Sequence, residues 1–108
     1  MPTLSSNGTQ TATIATEHTL YNPTTNKWFS GYVDLTNMAS GDTTEIRVYV
    51  LVKTAGSYII YSSDTFTGAQ TTKPLYHIPS LPSDLGWKIT LKQVSGTGRS
   101  YDWRVFEV

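Results

Sequence analysis

Apolar and polar residues alternate along most of the chain. In TEIRVYVLVK, Thr44 to Lys53, the residues Ile46, Val48, Val50 and Val52 fall on one face, and Glu45, Arg47, Tyr49, Leu51 and Lys53 on the other. A period of two filled with β-branched residues predicts a half-buried strand. GWKITLKQV, Gly86 to Val94, sets Trp87, Ile89 and Leu91 against Lys88, Thr90 and Lys92. SYDWRVFEV, Ser100 to Val108, sets Tyr101, Trp103 and Val105 against Asp102, Arg104 and Phe106. KWFSGYVDL (Lys27 to Leu35) and SYIIYSSDTF (Ser57 to Phe66) predict strands with more aromatic faces. TATIATEHTLY (Thr11 to Tyr21) predicts a weaker first strand, and PLYHI (Pro74 to Ile78) a short one that its prolines assign to a sheet edge. No window holds a helical stripe. TNMASGD (Thr36 to Asp42) and SLPSDLG (Ser80 to Gly86) are expected to make one helical turn each at most.

About seven short strands separated by turn signals predict an all-β fold, a single-domain antiparallel β-sandwich of the jelly-roll or immunoglobulin-like kind. A length of 108 residues fits one domain. The sandwich is expected over residues 11–108, and the polar stretch 1–10 reads as a flexible N-terminal arm. Register can be read from loop length. A two-residue Ala55-Gly56 loop would set Val52 opposite Ile59 and Arg47 opposite Asp64. A three-residue Gly96-Thr97-Gly98 loop would pair Ser95 with Arg99, Lys92 with Asp102, Leu91 with Trp103, and Ile89 with Val105.

Composition narrows the function. Eight basic and eight acidic residues give a formal net charge of zero, and the charged fraction is only 15%. Ordinary soluble domains carry about 25%. No basic patch marks a nucleic-acid partner, and no apolar run is long enough to predict a membrane span. The start, MPTLSSNGTQTA, has neither a basic nor an apolar region, so no signal peptide is expected. There is no cysteine, which excludes disulfides and thiolate chemistry.

GTGRS, Gly96 to Ser100, has the glycines of a phosphate cradle, but it lacks the spacing, lysine and following helix of a P-loop. A turn is the expected reading. His18 and His77 lie on different predicted strands with no neighbouring ligand pair, so no metal site is expected. The carboxylates Asp42 with Glu45, and Asp102 with Glu107, would point to opposite strand faces. No serine sits in a nucleophile elbow. The chain is not expected to be an enzyme or to hold a cofactor.

Thirteen aromatic residues are more than so small a sandwich can bury. Tyr49, Leu51 and Lys53, with Tyr58, Ile60 and Phe66 opposite, would make a face too apolar for solvent. Such a face is expected to be covered by a second layer or a partner subunit. Tyr49, Leu51, Tyr58, Phe66 and Phe106 are therefore candidate interface residues, together with Arg99. The turn and the core do not require the charge of Arg99, so it is expected to tie the loop to a carboxylate or to contact a neighbouring subunit.

Three stretches carry a resemblance. TATIATEHTL, VDLTNMASGDTTEIRVYVLV and ITLKQVSGTGRSYDWRVFEV together are similar to a group of small proteins encoded in tailed-phage and prophage genomes. The most specific parts are Asn37-Met38 with Gly41-Asp42 and Glu45-x-Arg47, and Leu91-Lys92-Gln93 with Gly96-Thr97-Gly98-Arg99-Ser100. The resemblance implies a virion structural protein with no catalytic residues. Small size and β-richness further resemble capsid decoration proteins. The implied partners are the major capsid protein or other virion proteins and further copies of the chain, with a trimer expected at local three-fold positions of the capsid exterior, after synthesis in the bacterial host cytoplasm. A tail or fibre module that recognises a host glycan, or a head–tail or tail component, is the alternative.

Overall fold

The computed structural model describes residues 2–108, and Met1 lies outside the described residues. It contains eight strands: β1 (Thr3–Thr11), β2 (Glu17–Tyr21), β3 (Lys27–Asp34), β4 (Thr43–Leu51), β5 (Tyr58–Thr67), β6 (Leu75–Ser83), β7 (Gly86–Ser95) and β8 (Ser100–Glu107). They form two four-stranded antiparallel sheets. Sheet A has the order β1-β8-β3-β6 and sheet B the order β2-β7-β4-β5. Successive strands alternate between the sheets except at the β4–β5 hairpin. This order is that of a jelly roll, built from two Greek keys, and not of an immunoglobulin-like sandwich.

The alternation read from sequence sorts residues between core and surface. Ile46 and Val48 of β4, Trp87, Ile89 and Leu91 of β7, and Tyr101 and Val105 of β8 are fully buried, and Trp103 is nearly so. They meet Phe29, Val33 and Ile78 of sheet A in one core between the layers. Trp87 and Phe29 stack across the sandwich with ring centroids 5.5 Å apart. Burial of these apolar side chains contributes the main driving force, on the order of 1.5–3 kcal/mol each. Val52 departs from the expected pattern. It lies beyond the end of β4 and is 69% exposed.

Several expectations are corrected. The stretch expected as a flexible arm, residues 1–10, is mostly β1, which pairs with β8 from Thr3↔Glu107 to Thr11↔Ser100. The predicted first strand over Thr11 to Tyr21 is broken between β1 and β2, where Ala15 has φ 66°. Neither short helical turn forms. Thr36 to Asp42 holds two β-turns, closed by Met38 N–H to the Leu35 carbonyl and Asp42 N–H to the Ala39 carbonyl, both at 3.1 Å. Ser80 to Ser83 belongs to β6, which runs on past PLYHI as the edge of sheet A.

Both predicted registers also change. The β4–β5 connection is six residues long, with a turn closed by Gly56 N–H to the Lys53 carbonyl at 2.8 Å. Leu51 then faces Tyr58, Val50 faces Ile59 and Tyr49 faces Ile60. A bulge at Tyr61 shifts the rest, so Arg47 faces Ser63 and Asp64 faces Ile46. The expected β7–β8 hairpin is absent. β7 pairs with β2 and β4, and β8 with β1 and β3, so Gly96 to Arg99 crosses from one sheet to the other. Leu91 and Trp103 do meet apolar partners, but through the core and not as neighbours on one sheet. Matching faces across a ladder and matching faces across a sandwich leave the same imprint on a sequence.

Candidate functional site

The crossing from β7 to β8 is held by a polar clamp. Gln93 is fully buried. Its Nε2 donates to the carbonyls of Ser95 (3.1 Å) and Thr97 (2.7 Å). Its Oε1 accepts from Arg99 N–H (3.0 Å) and the Tyr101 hydroxyl (2.9 Å). Tyr101 Oη also shares a 2.8 Å hydrogen bond with Thr44 Oγ1 on the opposite sheet. Every donor and acceptor of a buried amide is thus used, which is the condition for burying one without penalty.

Asp42 holds the other side. It is 1% exposed. Oδ2 accepts from Ala39 N–H (2.9 Å) and Arg99 Nε (2.8 Å), and Oδ1 accepts from Thr97 N–H (3.1 Å). The Ala39 hydrogen bond is the main reason its carboxyl titrates below the ordinary range. Burial opposes the shift, and Arg99 and Thr97 add to it. Gly96 sits at φ 93°, and a side chain there would run into the Asp42 carboxylate. Asn37 Nδ2 donates to the Ser100 carbonyl at 2.7 Å, and Ala12 N–H to the Arg99 carbonyl at 2.8 Å. The residues that carry the family resemblance, from Ala12, from Asn37 to Asp42 and from Gln93 to Ser100, therefore converge on one end of the sandwich. Their role there is to join the two sheets. GTGRS is a corner, and Arg99 ties it to a carboxylate of its own chain.

The third part of the pattern, Glu45-x-Arg47, lies on the outer face of sheet B. Arg47 Nη2 is 3.0 Å from Glu45 Oε2 and its Nη1 is 4.0 Å from Glu17 Oε1. Burial works against ionisation of Glu17, but hydrogen bonds from Thr90 and Tyr49, both 2.6 Å, and the Arg47 and Lys88 charges hold its carboxyl below the usual range. Farther along this face Leu51 faces Tyr58, and Lys88 Nζ lies 4.4 Å from the Tyr49 ring centroid and 4.7 Å from that of Tyr58. Of the candidate interface residues, Tyr49, Leu51 and Tyr58 thus share one face with Ile60. The exposed Val52, Ile59, Ile60 and Tyr61 extend it around the hairpin and onto β5, the free edge of sheet B.

Phe66 is not on that face. It lies opposite Thr44, which is buried, and packs against the core with its ring 5.2 Å from Tyr76. Its expected position depended on an unbroken β5, and the bulge at Tyr61 turns it inward. Tyr76 donates a hydrogen bond to Asp64, and burial together with that bond pushes its phenol up to about 12.

Phe106 lies on the outer face of sheet A, edge-on to Tyr32 with centroids 6.1 Å apart. Two rows cross this face. Asn7, Arg104, Tyr32 and His77 stand side by side on β1, β8, β3 and β6. In the next row Thr9 faces Asp102, and Asp34 faces Leu75. All of these but His77 line an open groove of about 520 Å³. Sequence reasoning did not find it. It did place Asp102, Arg104 and Phe106 on one face of β8, but the other walls come from β1, β3 and β6, brought together only by the strand order of sheet A. Among the described residues, no group of three or more His, Cys, Asp or Glu is placed to hold a metal ion.

Neither protein-family models, curated proteins nor solved structures give a match to this chain.

Proposed function

We propose that the chain is a virion structural protein of the capsid-decoration kind, which attaches through the β4–β5 end of sheet B. The observation that carries this reading is the apolar and aromatic β4–β5 end of sheet B, with Tyr49, Leu51, Tyr58 and Ile60 on the outer face, Ile59 beside Val50 on the reverse face, and Val52 and Tyr61 at the turn and the bulge. Val52, Ile59, Ile60 and Tyr61 are 69%, 59%, 48% and 52% exposed. Patches of this kind mark protein–protein interfaces, where aromatic residues are enriched and charge is sparse.

The edges of the two sheets add support. β6, an edge of sheet A, carries Pro79 and Pro82, which block pairing with another strand. β5 has no proline and, over ten residues, a single charge at Asp64. It is interrupted only by its bulge, so it offers unpaired backbone groups beside an apolar face. The sequence resemblance points to a virion partner, and small size and β-richness, shared with capsid decoration proteins, point to the shell. A trimer at local three-fold positions is the arrangement proposed.

The test is made on virions and on purified shells. The protein is expected in the capsid fraction by mass spectrometry, at a fixed ratio to the major capsid protein. Leu51→Asp with Ile60→Asp is expected to weaken shell binding by at least about tenfold, equivalent to ~1.4 kcal/mol. Both side chains lie on the outside of sheet B, so thermal unfolding should change little. A capsid fraction without the protein, or unchanged shell binding by this double variant, would refute the reading.

A further inference from the structure

The groove on the outer face of sheet A lies away from the proposed attachment surface and presents a different chemistry. Its volume, about 520 Å³, falls among small-molecule sites, which run from about 300 to 1,000 Å³. Its polar groups are only partly used within the protein. Asp102 Oδ1 accepts from Thr9 Oγ1 at 2.5 Å, and Asp34 Oδ1 accepts from Thr36 N–H at 2.9 Å and Thr36 Oγ1 at 2.5 Å. The Oδ2 atom of each carboxylate has no partner among the described residues. The ion pairs among the described residues involve only Arg47 and Arg99 as cations, both outside the groove, so the Arg104 guanidinium, one row from the two carboxylates, is unpaired. Among the described residues the Asn7 amide has no hydrogen-bond partner either. Tyr32, 40% exposed, stands among these groups, and its ring is held in place by contacts with His77 and Phe106.

Free acceptors, free donors and a fixed aromatic ring thus occupy adjacent positions on a rigid sheet. A sugar ring is complementary to that set. Each hydroxyl both donates and accepts, so neighbouring hydroxyls can donate to Asp34 and Asp102 and accept from Arg104 and Asn7. The C–H face of the ring packs on the apolar face of Tyr32. Two carboxylates against one guanidinium leave the groove with a formal charge of −1, which disfavours phosphate, acidic sugars and nucleic acid.

We propose that this groove binds a short neutral saccharide, with Tyr32 as its stacking platform and Asp34, Asp102, Arg104 and Asn7 as its hydroxyl partners. The inference does not rest on the attachment of sheet B to a shell, and a saccharide on sheet A leaves that surface open.

The full chain is titrated with cellobiose, maltose, lactose and N,N′-diacetylchitobiose by saturation-transfer NMR and calorimetry, with inorganic phosphate and sialyllactose as anionic comparators. At least one neutral disaccharide is expected to bind, and neither anion is expected to compete. Tyr32→Ala and Arg104→Ala are each expected to weaken binding by at least about tenfold. Arg104 is unpaired, so its variant should melt like the wild type and keeps the test valid if Tyr32→Ala perturbs the sheet. Tyr49→Ala, on the other sheet, should bind normally. The proposal is overturned if no neutral disaccharide binds, if binding survives both groove variants, or if phosphate or sialyllactose binds in preference.

Discussion

Gln93→Leu is expected to lower the unfolding free energy by about 2–4 kcal/mol, read as a shift in the denaturant midpoint at unchanged slope. Leucine fills much the same volume, so the loss is not one of packing. It comes from groups that hydrogen-bond to Gln93: Arg99 N–H, the Tyr101 hydroxyl and the carbonyls of Ser95 and Thr97. The two carbonyls belong to exposed residues and can turn to water. Tyr101 is fully buried and keeps only Thr44 as a partner, so most of the cost falls there and at Arg99 N–H. A glutamate at the same position would lose the two donors as well and carry a charge into the core, so it should be worse. If Gln93→Leu unfolds at the wild-type midpoint, the buried amide is not what holds this end of the sandwich.

That clamp changes the meaning of the sequence pattern. A string such as LKQVSGTGRS looks like chemistry because it combines glycines, a cation and hydroxyls. In the fold, each of its distinctive residues has a mechanical reason. Gly96 takes a positive φ against Asp42, Gln93 bridges the crossing chain, and Arg99 neutralises a buried carboxylate. A jelly roll needs such a device, because its strands keep passing from one sheet to the other and each crossing strips backbone groups of ladder partners. With one end locked in this way, the two outer faces and the free β5 edge remain for binding.

The faces of the strands were legible in the sequence. Ile46, Val48, Trp87, Ile89, Leu91, Tyr101 and Val105 could be assigned to the core by their period of two alone. Partnership was not legible. Leu91 and Trp103 suit one another as cross-strand neighbours and as facing residues of two sheets equally well, and only the strand order decides. β1 was hidden for a different reason. Thr3–Thr11 is polar on both faces because it is an edge strand that covers little core, so it carries no apolar period to detect. Gly8 on that strand is needed for closeness, since a Cβ there would come within 3.2 Å of the Trp103 ring. The proposed attachment surface was partly visible through Tyr49, Leu51 and Tyr58, which neighbour one another at a hairpin. The groove was not, because its residues are separated by up to about a hundred positions and its chemistry appears only when four strands lie side by side.

Asp42→Ala is the second large effect, a loss of about 2–4 kcal/mol at neutral pH. The substitution leaves Ala39 N–H and Thr97 N–H without acceptors and Arg99 without its counter-ion. The Arg99 side chain is 31% exposed and can rehydrate, which keeps the loss below that of a fully buried pair. Asn is no remedy, because its amide nitrogen would point a donor at donors already there. The effect should also depend on pH in a fixed direction. The Asp42 carboxyl ionises below its ordinary value of 3.8 in the fold, chiefly through the Ala39 hydrogen bond, with Arg99 and Thr97 adding to it against the opposing effect of burial. A carboxyl whose folded pKa is depressed contributes stability that is fully present above its unfolded pKa and lost as pH falls through its folded pKa. The gap between wild type and Asp42→Ala should therefore be constant from about pH 7 to pH 5 and shrink below that, as protonation removes the ion pair with Arg99 and weakens the two backbone hydrogen bonds. Parallel denaturant titrations of the two proteins across that range measure it. A gap that widens in acid would mean that the carboxylate is a cost that the fold tolerates and not the anchor of its crossing loop.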